Sequence, residues 1–470
     1  MIRPLLLLAL AAASPPGDRV RAQLEEAVPG ARFGLVVATE DGKELVAIAP
    51  EQRFIPASNT KMFTTAAAYD VLPGLDAPDV AGGTAVRLDG RDVVLEGRGD
   101  ARLSSASDCV ADCLGALADA VAAKTRSVRN VIGDDSLFPD QRWSPGMSWN
   151  NIPSRSGTGI SALSLDDNEL VLIVTPGQPG GAPKIESLGY FAIDNRATTV
   201  PSGESSLDFD RMPASRTVRI VGAIAAGATP ERLRLGIDDP ADYAAWRFSQ
   251  LLKARGVRVS GAVQVRHRAL SLLDDPARRG PLPAGLPRRA EPLARLSAPP
   301  LAEDIAIINK VSQNLHAELL LRRTGLRSGT GSIADGQVAV RAMLEKAGVP
   351  RTYFDFSDGS GMSSYNRVAP RGVVRFLRWT QGQPWGAAWR ATLPVGGVDG
   401  TLSRRFKATP LEGRLFAKTG SLNATSALSG FLIARSGRTL IFSAYANDVP
   451  DGASAVPALD AALVRIAAEN

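Results

Sequence analysis

Histidine is nearly absent from this chain. Two occur in 470 residues, His267 and His316, beside two cysteines, Cys109 and Cys113. That scarcity argues against a zinc centre, which draws three or four ligands mostly from those residue types. It also thins the supply of imidazole bases for a serine nucleophile, and no G-x-S-x-G occurs. His267 lies between arginines on a stretch read as an exposed strand, and His316 lies inside a predicted helix. Both are read as structural. No block of lysine and arginine is interleaved with aromatics, so no nucleic-acid partner is expected. The formal net charge of +6 spreads over 54 basic and 48 acidic residues. It implies weak attraction to an acidic polymer or surface, not a concentrated patch.

Long apolar runs are missing too. The only one of note, Leu5 to Ala13 in "MIRPLLLLALAAASPPGD", is far short of the ~18 residues a membrane span needs. One Arg before it, and small residues then Pro15-Pro16 after it, read as a secretory signal peptide over residues 1–13. The protein is therefore expected to be periplasmic, soluble or peripherally membrane-associated. No lipobox-type cysteine follows the run, so a lipid anchor is not expected. Export permits a disulfide. In "SDCVADCLGALADAV" a helical i, i+4 pair would sit near the upper end of the separation a disulfide spans, so a bridge belongs in the turn before the helix. The sequence leaves open whether Cys109 and Cys113 are bridged.

The length allows two to three domains. "RFGLVVATEDGKELVAIAP" reads as a hairpin turning at Asp41-Gly42. "TKMFTTAAAYDVL" reads as a helix stopped by Pro73-Gly74. At the other end, "GRLFAKTG", "SALSGFLIAR" and "RTLIFSAYAND" read as strands, and "ASAVPALDAALVRIAAE" as a closing helix. The two ends are expected to share one sheet covered by helices. Between them, short strands alternate with turn signals every 8–12 residues. The predicted fold is α/β, with an antiparallel sheet flanked by helices and interrupted by a large β-rich insertion. Residues 18–82 and 288–470 form the main domain and 83–287 the insertion, in two subdomains of about 83–158 with 263–287, and 159–262. The segment 276–292 is the best linker candidate.

The chemistry starts at "IPASNTKMFTT". Ser58 is the only serine in the chain with a lysine three residues on. A serine hydroxyl needs a base within reach, and a neutral lysine can replace histidine. Spacing i, i+3 puts Lys61 on the face of Ser58. The helix start, partial burial and a second cation would each lower the Lys61 pKa. "FAKTGSLNATS" offers that cation as Lys418, in the only K-T-G of the chain. Lys418 and Thr419 suit a substrate carboxylate. Gly420 leaves room at a strand edge, and the Ser421 N–H can pair with that of Ser58 as an oxyanion hole. A third element should serve the leaving group. S-x-N occurs at Ser148, Ser312, Ser364 and Ser421, and only Ser312-Gln313-Asn314 lies between two helical runs. In "DGSGMSSYNRVAP" the glycines make a loop that can line the pocket; equally, Asp358 and Arg367 can simply hold the loop's shape, and no chemical role is assigned.

S-x-x-K, S-x-N and K-T-G in that order resemble the signature of penicillin-recognising serine enzymes. With "GRGDARLSS", "VSQNLHAELLLR" and "LPVGGVDGTLSRRF", nearly all the mature chain resembles the D-alanyl-D-alanine carboxypeptidases/endopeptidases of the class C low-molecular-mass penicillin-binding proteins. The resemblance implies a transpeptidase-like (β-lactamase-like) domain. It implies that Ser58 attacks the bond between terminal D-alanines of peptidoglycan stem peptides, with Lys61 as base. Ser312 then relays a proton, Asn314 holds the substrate amide, and Lys418 and Thr419 hold the carboxylate. It further implies acylation by β-lactam antibiotics, no cofactor or metal, and a monomer or homodimer. Relatives that read a diaminopimelate side chain often carry Asp where Asn151 falls in "SWNNIPSRSG". Two alternatives stand beside this reading: a β-lactamase of the same superfamily, and a non-catalytic cell-wall-binding protein.

Overall fold

The computed structural model describes residues 16–282 and 291–470. The signal peptide read over residues 1–13 lies outside the described residues, as does part of the 276–292 linker candidate.

The two ends of the chain meet in one antiparallel sheet. Arg32–Thr39 pairs with Glu44–Ile48 on one side and with Thr439–Asn447 on the other. Thr425–Ile433 follows, and Leu415–Leu422 forms the far edge. The run "FGLVVA" is apolar without alternation because both faces of its strand are covered. Leu35 and Val37 pack with Leu428, Phe442 and the helices Pro16–Ala27 and Val456–Glu469, through Leu24, Leu459 and Leu463. Val36 and Ala38 face the opposite layer, with Met62 and Phe63 of helix Thr60–Val71, Phe376 of helix Pro370–Gln381 and Trp389. The hairpin, the three C-terminal strands and the shared sheet are thus as read from the sequence.

The intervening segment builds its own sheets. The largest has five strands, in the order Val263–Arg268, Val131–Pro139, Asp92–Glu96, Ala85–Asp89 and Ala294–Arg295, the last supplied by the chain beyond residue 287. Helix Pro240–Ala254 covers it. Asp239 caps that helix by accepting from the Asp242 N–H, with Pro240 at its first turn. Tyr243, Phe248 and Leu252 meet Leu95, Val131 and Leu235 in one core. Cys109 and Cys113 are bridged, with Cα atoms 5.8 Å apart, in the turn that precedes helix Leu114–Lys124.

His267 is a correction to the reading of an exposed strand. Its side chain is only 20% exposed, because Asp135 and Asp239 bind its two ring nitrogens at 2.9 and 3.2 Å. Those bonds raise its pKa to about 10. His316 is buried in helix Asn314–Gly325 and pairs with Asp167 at 2.9 Å, which ties that helix to the inserted segment. Both histidines are structural in this arrangement.

Trp389 is fully buried and donates to Thr65 Oγ1 of helix Thr60–Val71 at 2.9 Å. Trp389→Ala should destabilise the protein by about 3–5 kcal/mol. Chemical denaturation checks this, and a loss under about 1 kcal/mol would show that the layer does not depend on it.

Candidate active site

Ser58 sits in a short 3-10 turn, Ala57–Asn59, that runs into helix Thr60–Val71. Ala57 holds a φ of +46°, in the left-handed region that costs a residue with a Cβ. That bend sets Ser58 at the head of the helix, half-buried, with Lys61 one turn behind it. Lys61 Nζ lies 2.9 Å from Ser58 Oγ, 2.7 Å from Asn314 Oδ1 and 2.6 Å from the Ser360 carbonyl oxygen.

The edge strand Leu415–Leu422 borders this turn. Asn59 Nδ2 donates to the Lys418 carbonyl at 2.7 Å. A Cβ at Gly420 would lie 2.5 Å from the Pro56 carbonyl oxygen, so only glycine lets strand and turn approach this closely. Leu422 and Thr425 close a two-residue hairpin, so alternate residues Leu422, Gly420 and Lys418 bond across to the neighbouring strand. The Ala417 N–H accordingly points off the edge, to Pro394 O at 3.0 Å. By the same alternation the Thr419 and Ser421 N–H groups face off the open edge, beside Ser58.

Lys418 Nζ donates to Ser312 Oγ at 2.9 Å and to the Thr419 carbonyl at 3.2 Å. Ser312 has a φ of +65°. It turns the chain between helices Leu301–Lys310 and Asn314–Gly325, so that Ser312 reaches Lys418 while Asn314 reaches Lys61. Of the four S-x-N occurrences this is the one that touches both lysines. Ser148 instead bonds Asn150, and Ser364 bonds the Gly146 carbonyl. Asn314 Nδ2 donates to the Ser156 carbonyl at 2.9 Å, and Thr419 Oγ1 meets Thr401 Oγ1 at 2.7 Å.

Both lysines are fully buried. Burial lowers the Lys61 pKa to about 7, against an opposing pull from the Asp358 and Glu318 carboxylates. Lys418 falls well below the ordinary value, first through burial and then through the charge of Lys61. Desolvation is the leading cause that brings Lys61 near neutrality, and the two lysines each disfavour the other's charge. Asp358 is buried as well, and burial with Glu318 nearby raises it to about 6.

The structure thus gathers Ser58, Lys61, Ser312, Asn314, Lys418, Thr419, Gly420 and Ser421 in one place. Sequence reasoning missed Ser360, Glu318, Ser156 and Thr401. Glu318 carried a signal, four residues after Asn314 on one helix face. Ser156 and Thr401 act through loops brought in by tertiary packing, and no local pattern marks them. Asn151 lies in the turn Trp149–Asn151, where its carbonyl accepts from the Ser154 N–H at 3.0 Å. Ser156 is two residues further on, so the turn lies beside the site. The side chain at 151 is neutral and brings no charge to that wall.

Two serine–lysine contacts, Ser58 with Lys61 and Ser312 with Lys418, set between an antiparallel sheet and a helical layer, fit the class of penicillin-recognising serine hydrolases. Residues 18–470 match the D-Ala-D-Ala carboxypeptidase 3 (S13) family, and the chain belongs to that family. That membership makes it a serine-type D-Ala-D-Ala carboxypeptidase, a hydrolase. It is 34% identical over 501 residues to a D-alanyl-D-alanine carboxypeptidase of Actinomadura sp. (strain R39), an alignment covering 99% of this chain and 89% of that protein. Its fold is similar to the crystal structure of penicillin binding protein 4 (DacB) from Haemophilus influenzae, with a TM-score of 0.79 at 22% identity, covering 95% of this chain and 98% of the other. A structure of that protein complexed with a β-lactam matches with a TM-score of 0.74 at 21% identity, over the same shares.

Lys61 should titrate near pH 7, against about 10.4 for an unperturbed lysine. The chain has only nine lysines. Carbon NMR of the lysine Cε resonances, with Lys61→Met for assignment, should show one midpoint near neutrality that the variant lacks. A Lys61 midpoint near 10 would contradict the desolvation argument.

Proposed function

We propose that Ser58 is the acylated nucleophile and Lys61 its general base. The observation that carries this is a fully buried amine 2.9 Å from Ser58 Oγ with a pKa near neutrality. At pH 7 a large fraction of Lys61 is free base. Ser58 gives its proton to Lys61 as Oγ bonds to the carbonyl carbon of the penultimate D-alanine of a peptidoglycan stem peptide. The Ser58 and Ser421 N–H groups hold the oxyanion. Ser312, held by Lys418, passes a proton to the leaving D-alanine nitrogen as the C–N bond breaks and regains one from the Lys61 ammonium, which returns Lys61 to its free base for the water that follows. Water then releases the acyl group. No metal or organic cofactor takes part in this scheme.

The terminal carboxylate of the substrate sits against Thr419 and Lys418 in this reading. Both groups that Lys418 Nζ touches, Ser312 Oγ and the Thr419 carbonyl, are uncharged. An arriving carboxylate restores its ammonium form. Asn314 has both ends of its amide engaged, on Lys61 and on Ser156. We therefore assign it first to orienting Lys61. It holds the substrate amide only after Nδ2 leaves the Ser156 carbonyl.

The same attack on D-alanyl cross-links gives endopeptidase activity, and attack on a β-lactam gives a slowly released acyl-enzyme. We read residues 83–287 as the insertion into this catalytic domain, with its Ser156 loop forming one wall of the cleft. We read the site of action as the periplasm. No helix among the described residues is long and apolar enough to cross a membrane.

Intact-protein mass after mixing with a penicillin should show one persistent adduct, absent from Ser58→Ala. Rapid loss of the adduct would favour the β-lactamase reading. No adduct, even on rapid quenching, would leave the wall-binding reading.

A further inference from the structure

A neutral lysine has two N–H bonds and one lone pair. Of the three groups around Lys61 Nζ, Asn314 Oδ1 and the Ser360 carbonyl oxygen only accept hydrogen bonds. Both N–H bonds therefore go to them, and the lone pair is left facing Ser58 Oγ. The aim of the base depends on where those two oxygens are held.

One helix holds both. Asn314 is its first residue, and Glu318 stands one turn later on the same face. Glu318 Oε1 accepts from two successive backbone N–H groups, Gly359 and Ser360, each at 2.9 Å. The Ser360 carbonyl, on the other side of that residue, is the one that receives Lys61. Glu318 Oε2 accepts from Arg322 Nη1 at 2.8 Å, and both side chains are buried. Asp358 fixes the rest of the loop, through the Gly361 N–H at 2.9 Å and the Ser363 N–H at 2.6 Å. The loop presses on the nucleophile itself. A Cβ at Gly361, whose φ is +88°, would lie 1.9 Å from the Ala57 carbonyl oxygen and 2.9 Å from Ser58 N.

We propose that Glu318 is a positioning residue for the reaction, which aims the Lys61 lone pair at Ser58 by holding the Ser360 carbonyl in place. The inference rests on Lys61 being the base. The charged groups facing Lys61 are Asp358, Glu318 with Arg322 behind it, and Lys418. The carboxylate of Glu318 favours the ammonium form of Lys61. Its removal therefore lowers the pH at which the base becomes free, while the aim of the base is lost.

The test is the rate of acylation by a chromogenic cephalosporin as a function of pH, normalised to folded protein. Wild type, Glu318→Leu, which removes the acceptor for the Gly359 and Ser360 N–H groups, the charge-neutral pair Glu318→Leu/Arg322→Leu and Lys61→Ala are compared. The double variant leaves no unpaired Arg322 and serves if the single variant does not fold. Either Glu318 variant should lose about 10- to 100-fold in plateau rate, with its rising limb moved to lower pH. A role in stability alone would lower the yield of folded protein and leave both plateau and limb in place, which would overturn the proposal. If Lys61→Ala acylates as fast as wild type, the assignment of the base fails instead.

Discussion

An amine sealed from water beside a serine hydroxyl is the constraint around which this molecule is arranged. Burial alone disfavours a lysine's charge strongly. Unopposed, it would take the Lys61 pKa lower still and make the amine a weaker proton acceptor. Asp358 and Glu318 pull the other way, and the balance falls near neutrality. A base with a pKa close to the working pH is the most effective one. The chain reaches that value with no histidine at the site.

The architecture follows from keeping that amine dry and aimed. The sheet formed by the two chain ends carries the Leu415–Leu422 edge, which brings Lys418 and the free N–H groups of Thr419 and Ser421 up to the Ser58 turn. The helical layer behind carries Ser312, Asn314 and Glu318 on one connected pair of helices. The inserted segment closes the remaining side through the Ser156 carbonyl and the Asp167–His316 pair. Two of the residues held in the left-handed region, Ala57 and Ser312, lie where these parts converge. Such strain persists only where surrounding structure determines it, and here both residues present a serine to a lysine.

Much of this was legible because it is local. The spacing of Ser58 and Lys61, the single K-T-G and the strand and helix periods each lie within about a dozen residues. Ser312 needed context, since four S-x-N matches compete and helical flanks decide among them. The environment of Lys61 was not legible. Its second carbonyl partner, Ser360, is 299 residues away, and Glu318 bonds that loop from 42 residues away. The source of the pKa shift was legible only in part: partial burial and a nearby Lys418 can be expected from the motifs, whereas complete burial is a property of the packed interior. His267 was misread as exposed because arginines flank it, while the aspartates that enclose it come from Val131–Pro139 and the turn before helix Pro240–Ala254.

The pH dependence of wild-type acylation by a penicillin tests the central claim most directly. If desolvated Lys61 is the base, the second-order rate rises with one limb centred near pH 7 and is level above it. A rate that keeps climbing toward pH 10 would mean that the lysine beside Ser58 keeps its ordinary charge, and that its burial is not what activates the serine.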